Sequence, residues 1–395
     1  MLSVVILAGG FGERLWPASK PTFPKQFMTL KSGLSFFQQS LQRAAMLACA
    51  ERTYVQDELP ILVITRKSIL SETIKQCTDF AASLNVDMRR SFLKKLLVIP
   101  EPASRYTTAP LALASMYVQA LCRKTGIPEA PVLSLTSDHV IKPFSAFSED
   151  VYRGVKQAEN GRFVCFAIPP LGASTGFGYI KAGAYIDSGV FKIDSFKEKP
   201  DAKTAQCYFK SGFYYWNSGM FCFLPSVFIQ ELKLHAPDIE QHFPENISCE
   251  KMEVVKIKGV KTLKTWLYME NAYRDVPSLP VDVAIAERTK NAYAVKTSFD
   301  WMDVGTWENF ADLFRLEIEN KDDVIDGMEV NRIPVAEAKT SNCFVYSDIP
   351  AVLCDVEDLI VVVKNGKLLI VKKGSSSMLK NDLIHNFVLE LDKRE

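Results

Sequence analysis

The chain has 395 residues, a formal net charge of +1, and a composition that is 48% hydrophobic. This length exceeds one ordinary domain and suffices to bury a large core without disulfides. The balanced charge argues against a broad basic surface for nucleic acid and against a single-sign face for a membrane, so we expect small-molecule partners.

Cysteine usage and the N-terminus bear on the location of the protein. The nine cysteines are odd in number and contain no CxxC pair, which favours reduced thiols over a disulfide framework or a zinc site and predicts a cytoplasmic location. No stretch approaches the ~18 consecutive apolar residues that a membrane-spanning helix needs. The apolar residues 1–10 lack a basic segment, so we interpret them as a buried strand and not as a signal peptide.

Short apolar runs alternate with longer amphipathic stretches in the first half of the chain, a pattern that indicates a parallel β-sheet with crossover helices. Ligands of such sheets bind where the strands end at their carboxyl edge. The predicted strands are 3–7, 61–65, 96–99, 132–136 and 163–168, and the predicted helices are 36–50, 68–84 and 110–123.

A polar, acidic segment at about 317–327 is the best linker in the chain. We therefore place a catalytic domain at residues 1–320 and a C-terminal all-β module at 321–395. Turn residues such as Asn365-Gly366 separate the predicted strands of the module, which are 343–346, 351–355, 359–363 and 367–371. Their apolar edges need covering, and a homodimer formed through the module would cover them.

A glycine-rich loop directly follows the first predicted strand. It reads LAGGFGERLWP over residues 7–17 and continues to PKQF at 24–27. Glycines let backbone N–H groups approach a polyphosphate closely, and Arg14 and Lys25 can neutralise its charge. A plain tight turn is the alternative, which the two cations disfavour. The loop lacks the glycine at position 15 of a dinucleotide fingerprint and the ending of a Walker A motif, which argues against a nicotinamide-dependent oxidoreductase.

Asp138 follows the predicted strand 132–136, at a sheet edge where an isolated carboxylate is poorly solvated unless it binds a cation or caps a helix. The residue alone leaves both roles open. Asp303, in a later motif, can supply a second oxygen, and magnesium binds through one or two carboxylates together with phosphate oxygens. The two aspartates therefore favour a magnesium site.

These segments resemble the signature motifs of the nucleotide-sugar pyrophosphorylases, and RLWP and PKQF are most similar to those of the mannose-1-phosphate guanylyltransferases. The later motifs follow in the family's order as far as about residue 310. The chain departs from the family pattern at Glu13, at Lys20 and in the segment 105–108, which lacks the usual asparagine. The matching motifs are EPASRYTTAP (101–110), TSDH (136–139), GFGYI (176–180), FKEKP (196–200), WNSGMF (216–221) and WMDVGTW (301–307).

The resemblance implies an α/β fold, with a Rossmann-like, GT-A-like nucleotidyltransferase domain around a mixed, mostly parallel sheet and a small C-terminal domain of the left-handed β-helix type. It also implies that the guanylyl group of GTP is transferred to mannose 1-phosphate, with Mg2+ assisting in-line attack on the α-phosphorus. The residues leave open the same chemistry on another sugar 1-phosphate or nucleotide, such as GDP-heptose synthesis. They also leave open a non-catalytic sensor of nucleotide sugars.

The same resemblance assigns roles to residues. Arg14, Lys25 and Asp138 are expected to be catalytic, and Asp138 with Asp303 is expected to hold Mg2+. The expected substrate-binding residues are Leu7, Ala8, Gly9, Gly10, Gly12, Glu101, Thr108, Ser137, Gly178, Glu198, Lys199, Asn217 and Gly219.

The roles expected for Glu198 and Lys199 differ from those that the two residues would be given without the resemblance. Glu198 and Lys199 would by themselves indicate a solvent-exposed run of charges. The resemblance makes Glu198 an acceptor for sugar hydroxyls and Lys199 the partner of the sugar phosphate. His139 is assigned a structural hydrogen bond, because transfer onto an ionised phosphate needs no general base.

Overall fold

A computed structural model describes residues 1–49, 58–243, 252–318, 335–380 and 382–393. The chain divides into two compact units. The first comprises Met1–Gly9, Gln38–Ser137 and Ile141–Trp301, and the second comprises Gly10–Phe37, Asp138–Val140 and Met302–Glu395.

The first unit is built on a mixed, mostly parallel sheet. The strands up to residue 303 are β1 (Ser3–Ala8), β2 (Ile61–Arg66), β3 (Leu96–Glu101), β4 (Val132–Thr136), β5 (His139–Lys142), β6 (Phe163–Ile168), β7 (Tyr179–Asp187), β8 (Val190–Lys197), β9 (Tyr214–Phe223), β10 (Met252–Ile257), β11 (Val260–Trp266), β12 (Ala292–Lys296) and β13 (Asp300–Asp303). The large sheet has the order β10-β11-β3-β2-β1-β4-β9-β6-β12-β8-β7 among the described residues, while β5 and β13 pair with each other in a separate two-stranded sheet.

The parallel part of the sheet explains why these strands are nearly continuous apolar runs. β1 pairs in parallel with β2 on one side and with β4 on the other, and β2 pairs in parallel with β3. Every residue of β2, β3 and β6 is buried, as expected for strands covered on both faces. All five predicted strands are confirmed, with their ends within two residues of the prediction.

The helices Thr108–Thr125, Pro225–His235 and Leu267–Asp275 pack apolar side chains into one core cluster with the sheet. The predicted helices 36–50 and 110–123 are confirmed, and the predicted helix 68–84 begins as a 3-10 turn over Lys67–Ile69 before it becomes α-helical. None of the described helices combines the length and apolar character needed to cross a bilayer. The helices are α1 (Phe36–Cys49), α2 (Leu70–Ser83), α3 (Val86–Lys95), α4 (Thr108–Thr125), α5 (Phe144–Glu159), α6 (Ala202–Ser211), α7 (Pro225–His235), α8 (Pro237–Glu240) and α9 (Leu267–Asp275).

The C-terminal part of the second unit contains short strands that pair in parallel with the strand after next. The strands are β14 (Val335–Ala338), β15 (Phe344–Ser347), β16 (Ala351–Cys354), β17 (Leu359–Lys364) and β18 (Lys367–Lys372), flanked by the helices α10 (Trp307–Ile318) and α11 (Asp382–Lys393). β14 pairs with β16 and β15 with β17, as successive coils of a β-helix do, and β17 returns antiparallel to β18. The handedness of such a coil stays a prediction.

The small C-terminal sheet domain that the sequence predicts is confirmed. A 3-10 turn over Ser376–Lys380 and the helix α11 follow its last strand. The four predicted strands of the module are confirmed. The predicted domain boundary at residue 320 lies outside the described residues and stays a prediction.

From Gly10 onward, the glycine-rich loop belongs to the same compact unit as the C-terminal module. One apolar cluster joins side chains of the loop segment to side chains of α10 and of strands β15 and β17. No local pattern in the sequence indicates this shared core. Its members include Leu15, Met28 and Phe36 from the N-terminal segment and Trp307, Phe310, Phe314, Phe344, Tyr346, Ile360 and Val362 from the C-terminal segment.

Candidate active site

Lys25 lies between two carboxylates in the second unit. It begins a short 3-10 helix over Lys25–Phe27, and only 5% of the residue is exposed. Its Nζ lies 2.8 Å from Asp138 Oδ2 and 3.0 Å from Asp303 Oδ1. Asp138 directly precedes β5 and Asp303 ends β13, so the pairing of these two strands explains why the carboxylates meet.

The charges in this group stabilise one another. Burial by itself lowers the pKa of Lys25, but the attraction of Asp138 and Asp303 outweighs burial and raises the pKa above its ordinary value. Burial by itself raises the pKa of Asp303, and the positive charge of Lys25, the largest opposing influence, holds it well below its ordinary range. The ammonium and the carboxylate are therefore both ionised at neutral pH.

Two glycines allow the cations to approach the carboxylates. Gly12 has a φ of +59°, and a Cβ built on it would lie 2.5 Å from the backbone N of Lys25, so no other residue fits this position without a backbone shift. Arg14 Nη1 lies 3.3 Å from the position of a Cβ on Gly305. Arg14 also helps to lower the pKa of Asp303. The structure therefore brings Arg14, Lys25, Asp138 and Asp303 together.

The carboxylates also meet the requirements of a divalent cation. Ligand atoms of Asp138, His139 and Asp303 all lie within 4.8 Å of one another. Two carboxylate oxygens are the donors that magnesium prefers, and His139 Nε2 lies 3.7 Å from Asp138 Oδ1. The alternative role of Asp138 as a helix N-cap is wrong, because a strand follows it. The sequence assigned no chemistry to His139, and the structure adds it to this group.

A second set of predicted residues lies in the first unit, at the carboxyl edge of its parallel strands. Leu7 and Ala8 end β1, Glu101 ends β3, and the buried Ser137 follows β4. Parallel strands present these ends on one edge of the sheet. A Cβ built on Gly9 would lie 3.0 Å from Glu101 Oε1, so two of the predicted nucleotide-binding residues are adjacent.

Glu101 has an unusual environment for a carboxyl group. It is 5% exposed, and its Oε2 accepts a hydrogen bond from Tyr273 Oη at 2.9 Å. Burial raises the pKa of Glu101 to about 8, although the Tyr273 hydrogen bond and the Arg66 guanidinium act in the opposite direction. A substantial fraction of Glu101 therefore carries a proton near neutral pH.

This pKa predicts a pH-dependent stability. The pKa of Glu101 is raised from an ordinary 4.5 to about 8, so its contribution is fully present below the lower value and is lost as pH rises through the upper one. The difference in free energy of unfolding between wild type and Glu101→Gln should then change by up to ~1.4 kcal/mol per pH unit in that window. Melting temperatures measured across the window check this, and parallel curves for the two proteins would refute it.

The segment around Thr108 forms hydrogen bonds with a part of the first unit that is distant in the sequence. Thr108 Oγ1 donates a hydrogen bond to the Leu279 carbonyl at 2.6 Å, and Thr107 Oγ1 accepts one from the Val281 N–H at 2.8 Å. The Arg105 guanidinium donates to the backbone carbonyl of Tyr273. The hydroxyl proton of Thr108 is thus used structurally, and its contact with a substrate stays a prediction.

A third group of predicted residues gathers in the first unit around Glu198. A Cβ built on Gly178 would lie 2.5 Å from Glu198 Oε2, so the Glu198 carboxylate lies directly against this glycine. The N–H of Asn217 donates to the Gly178 carbonyl at 2.8 Å, and Lys199 forms an ion pair with Glu198. Gly219, two residues after Asn217 on β9, has a φ of +72°. The structure therefore brings these predicted sugar-binding residues together.

Two acidic residues of this group are absent from the sequence prediction. Asn217 Nδ2 donates to Asp282 Oδ1 at 2.7 Å, and the N–H of Glu198 donates to Glu287 Oε1 at 2.8 Å. Burial and the nearby Glu198 charge raise the pKa of Asp282 to about 6. The available signal is a pair of carboxylates in the otherwise apolar stretch VDVAIAE.

Asn217 has unused hydrogen-bonding capacity. Its Oδ1 is buried and has no hydrogen-bond partner among the described residues. A buried polar atom without a partner is costly, and such an atom next to two carboxylates and a lysine is typical of a site that binds a polar ligand.

Gly10 differs from Gly9 and Gly12 of the glycine-rich loop, because a Cβ built on Gly10 would meet no atom within 4 Å.

Comparison with known proteins gives consistent matches along the chain. The Nucleotidyl transferase family model matches residues 3–320. A mannose-1-phosphate guanylyltransferase of Escherichia coli K12 is 32% identical over 385 residues, which are 95% of this chain and 71% of the relative. A mannose-1-phosphate guanylyltransferase of Salmonella typhimurium is 31% identical over 394 residues, which are 99% of this chain and 73% of the relative.

Solved structures agree on the fold. A structure from Thermus thermophilus, described as a mannose-1-phosphate geranyltransferase, superposes with a TM-score of 0.74 at 23% identity and covers 99% of both chains. A structure from Helicobacter pylori, described as a mannose-6-phosphate isomerase, gives a TM-score of 0.57 at 24% identity over 76% of this chain and 99% of that one. At these identities the two matches show the fold alone.

Proposed function

This chain belongs to the mannose-1-phosphate guanylyltransferase family of nucleotidyl transferases, and from that membership we infer that it transfers the guanylyl group of GTP to mannose 1-phosphate. The products are GDP-mannose and pyrophosphate. The observation that carries this proposal is the meeting of Lys25 with Asp138 and Asp303, next to Arg14. Such a group of opposite charges suits a reaction that neutralises phosphates.

Nucleotidyl transfer asks the protein mainly to position its substrates and to stabilise charge. We assign Lys25 and the backbone N–H groups of residues 9–12 to the triphosphate, and Arg14 to the departing pyrophosphate. Asp138 and Asp303 would hold Mg2+, and their two carboxylates fit that ion. Bound there, the ion would offset the negative charge of the phosphates.

The attacking group is an oxygen of the sugar phosphate, which is already ionised at neutral pH. It forms the new bond to the α-phosphorus of GTP while the bond to the pyrophosphate oxygen breaks, so no proton has to be removed. His139 is then unnecessary as a general base. Lys25 supplies the positive charge that such a transition state requires.

Residues of the first unit supply recognition. Glu198 and Asp282 accept hydrogen bonds from sugar hydroxyls, and the unpaired Asn217 Oδ1 accepts another. Lys199 pairs with the phosphate of the sugar. We assign Glu101 to the nucleotide, because it lies next to Gly9 at the carboxyl edge of the sheet.

A panel of substrates tests this function. Pyrophosphate release is measured for GTP, ATP and other nucleotides, each with mannose, glucose and heptose 1-phosphates, in the presence and absence of Mg2+. We expect the highest kcat/KM for GTP with mannose 1-phosphate, and only with the metal. A higher value for another pair would replace the proposed substrates, and binding of GDP-mannose without any turnover would point to a sensor.

Two further expectations from the sequence stay predictions. The homodimer through the C-terminal module is one, and light scattering of the purified chain measures it. The cytoplasmic location is the other.

A further inference from the structure

The glycine-rich loop, which we assign to the triphosphate, is called the phosphate loop below. Side chains from the C-terminal half of the chain form hydrogen bonds to its backbone. Trp307 Nε1 donates a hydrogen bond to the Trp16 carbonyl at 2.9 Å. Asn365 Nδ2 donates to the next carbonyl, that of Pro17, also at 2.9 Å. All four residues belong to the second unit. Two consecutive carbonyls of the RLWP segment are thus fixed from outside the loop.

These contacts lie close to the reactive cations. The held carbonyls are two and three residues after Arg14, and Lys25 follows on the same loop. Within the loop, the N–H groups of Ala18 and Ser19 donate to the Leu15 carbonyl at 3.0 and 2.9 Å. The loop therefore makes a local turn of its own, and the two outside donors fix where that turn lies.

Asn365 is suited to this contact by its backbone conformation. Asn365 and Gly366 have φ values of 54° and 69°, and they form the tight turn between β17 and β18. A turn of this kind needs positive φ at both positions, which asparagine tolerates better than other residues that carry a side-chain amide. The register of the two strands, in which Lys364 faces Lys367, therefore fixes where the Asn365 amide lies.

A second attachment joins the C-terminal module to the segment that carries Asp303. Glu308 Oε1 accepts hydrogen bonds from the N–H groups of Gly374 and Ser376 at 2.9 and 3.0 Å, and Ser376 Oγ accepts one from the Trp307 N–H at 3.1 Å. Trp307 and Glu308 begin the helix α10, at the end of the WMDVGTW motif. The module thus contacts both charged segments, the loop with Arg14 and Lys25 and the segment after Asp303.

We propose that the C-terminal module is a part of the catalytic machinery that positions the phosphate loop, with Asn365 as the positioning residue. The predicted change in kinetics rests on the proposed function. The predicted change in hydrogen exchange of the loop does not. Asn365 touches no reacting atom in this proposal and acts through the backbone of Pro17. The apolar core that the loop shares with α10, β15 and β17 keeps the module close enough for this contact.

Two variants of Asn365 remove the donor without straining the turn. Asn365→Gly keeps the positive φ, and Asn365→Asp keeps the size of the side chain but replaces the donating amide with a carboxylate. Val352→Ser is the matched control, because Val352 is on the same module and 77% exposed. We expect all three proteins to fold, with melting temperatures close to that of the wild type.

Hydrogen exchange and kinetics give the expected result. In the protein without substrate, the N–H groups of Ala18 and Ser19 should exchange at least about tenfold faster in both Asn365 variants, since the loop loses one of its two outside donors. The kcat should fall about tenfold and the KM for pyrophosphate in the reverse reaction should rise, while the KM for mannose 1-phosphate stays unchanged. Val352→Ser should match the wild type in every measurement.

The two measurements separate the possible failures. Unchanged hydrogen exchange in both Asn365 variants would overturn the proposal, whatever the enzyme's substrates are. Faster exchange with unchanged kcat and unchanged KM for pyrophosphate would overturn the catalytic part of it. If the wild type showed no turnover on any substrate pair, the proposed function would fail, and the exchange measurement would still decide whether Asn365 fixes the loop.

Discussion

Replacing Lys25 with alanine is expected to lower kcat by at least ~100-fold, the scale of one lost electrostatic contact with a transition state. Lys25 is 5% exposed and its ammonium lies within 3.0 Å of both Asp138 and Asp303, so the residue holds an ionised cation at a buried position between two carboxylates. Steady-state kinetics with GTP and mannose 1-phosphate measure the loss. A rate close to that of the wild type would remove Lys25 from the mechanism.

Two further measurements distinguish a catalytic effect from a loss of structure. Lys25→Met preserves most of the side-chain volume and should lose as much activity as the alanine variant, with a normal circular dichroism spectrum. Lys31→Ala is the matched control, because Lys31 is an exposed lysine of the same segment whose ammonium lies over the ring of Phe314. We also expect Lys25→Met to bind Mg2+ more tightly, since its ammonium no longer competes for the two aspartates.

The second large effect is expected at the two aspartates. Asp138→Asn and Asp303→Asn keep the shape of the side chain and remove its charge, and each should lower kcat by at least ~100-fold at low Mg2+ concentration. The physical reason is that a neutral amide is a much weaker ligand for a hard dication than a carboxylate. The pKa of Asp303 is held low by Lys25, so wild-type Asp303 is ionised throughout the working range of pH.

The metal dependence is the decisive part of this prediction. The Mg2+ concentration that gives half-maximal rate should rise in both variants, and saturating Mg2+ should recover part of the lost activity. Asp300→Asn is the matched control, because Asp300 is an exposed carboxylate on the same strand as Asp303. Equal metal dependence in Asp303→Asn and Asp300→Asn would show that Asp303 does not hold the ion.

Much of the site is predictable from the sequence because its motifs are local. Lys25, Asp138 and Asp303 each lie in a segment whose neighbours in the chain define a turn or a strand end. The residues around Glu198 are predictable for the same reason. Their partners are not, because these come from distant parts of the chain. Asp282 lies 65 residues after its partner Asn217, and Tyr273 lies 172 residues after its partner, the glutamate that ends β3.

Two interpretations show how a local pattern can be insufficient. Asp138 as a helix N-cap is reasonable from residue type, but the chain continues into the strand β5, which needs no cap. His139 follows Asp138 directly, and neighbours on a strand lie on opposite faces, so the sequence does not suggest that they join one group. The conformation of the surrounding backbone determines that Asp138 is not an N-cap and that His139 lies near it.

The amino-acid sequence by itself determined five strands of the large sheet, four strands of the C-terminal module, three helices, the glycine-rich loop and the family. These follow from hydrophobic period, turn residues and short motifs, which depend only on neighbouring positions. The tertiary structure alone decided that Lys25 bridges two aspartates, that Glu101 is buried enough to hold a proton near neutral pH, and that Asn365 contacts the loop at Pro17. Burial, desolvation and hydrogen bonding between distant residues arise only when the chain packs, so no local pattern encodes them.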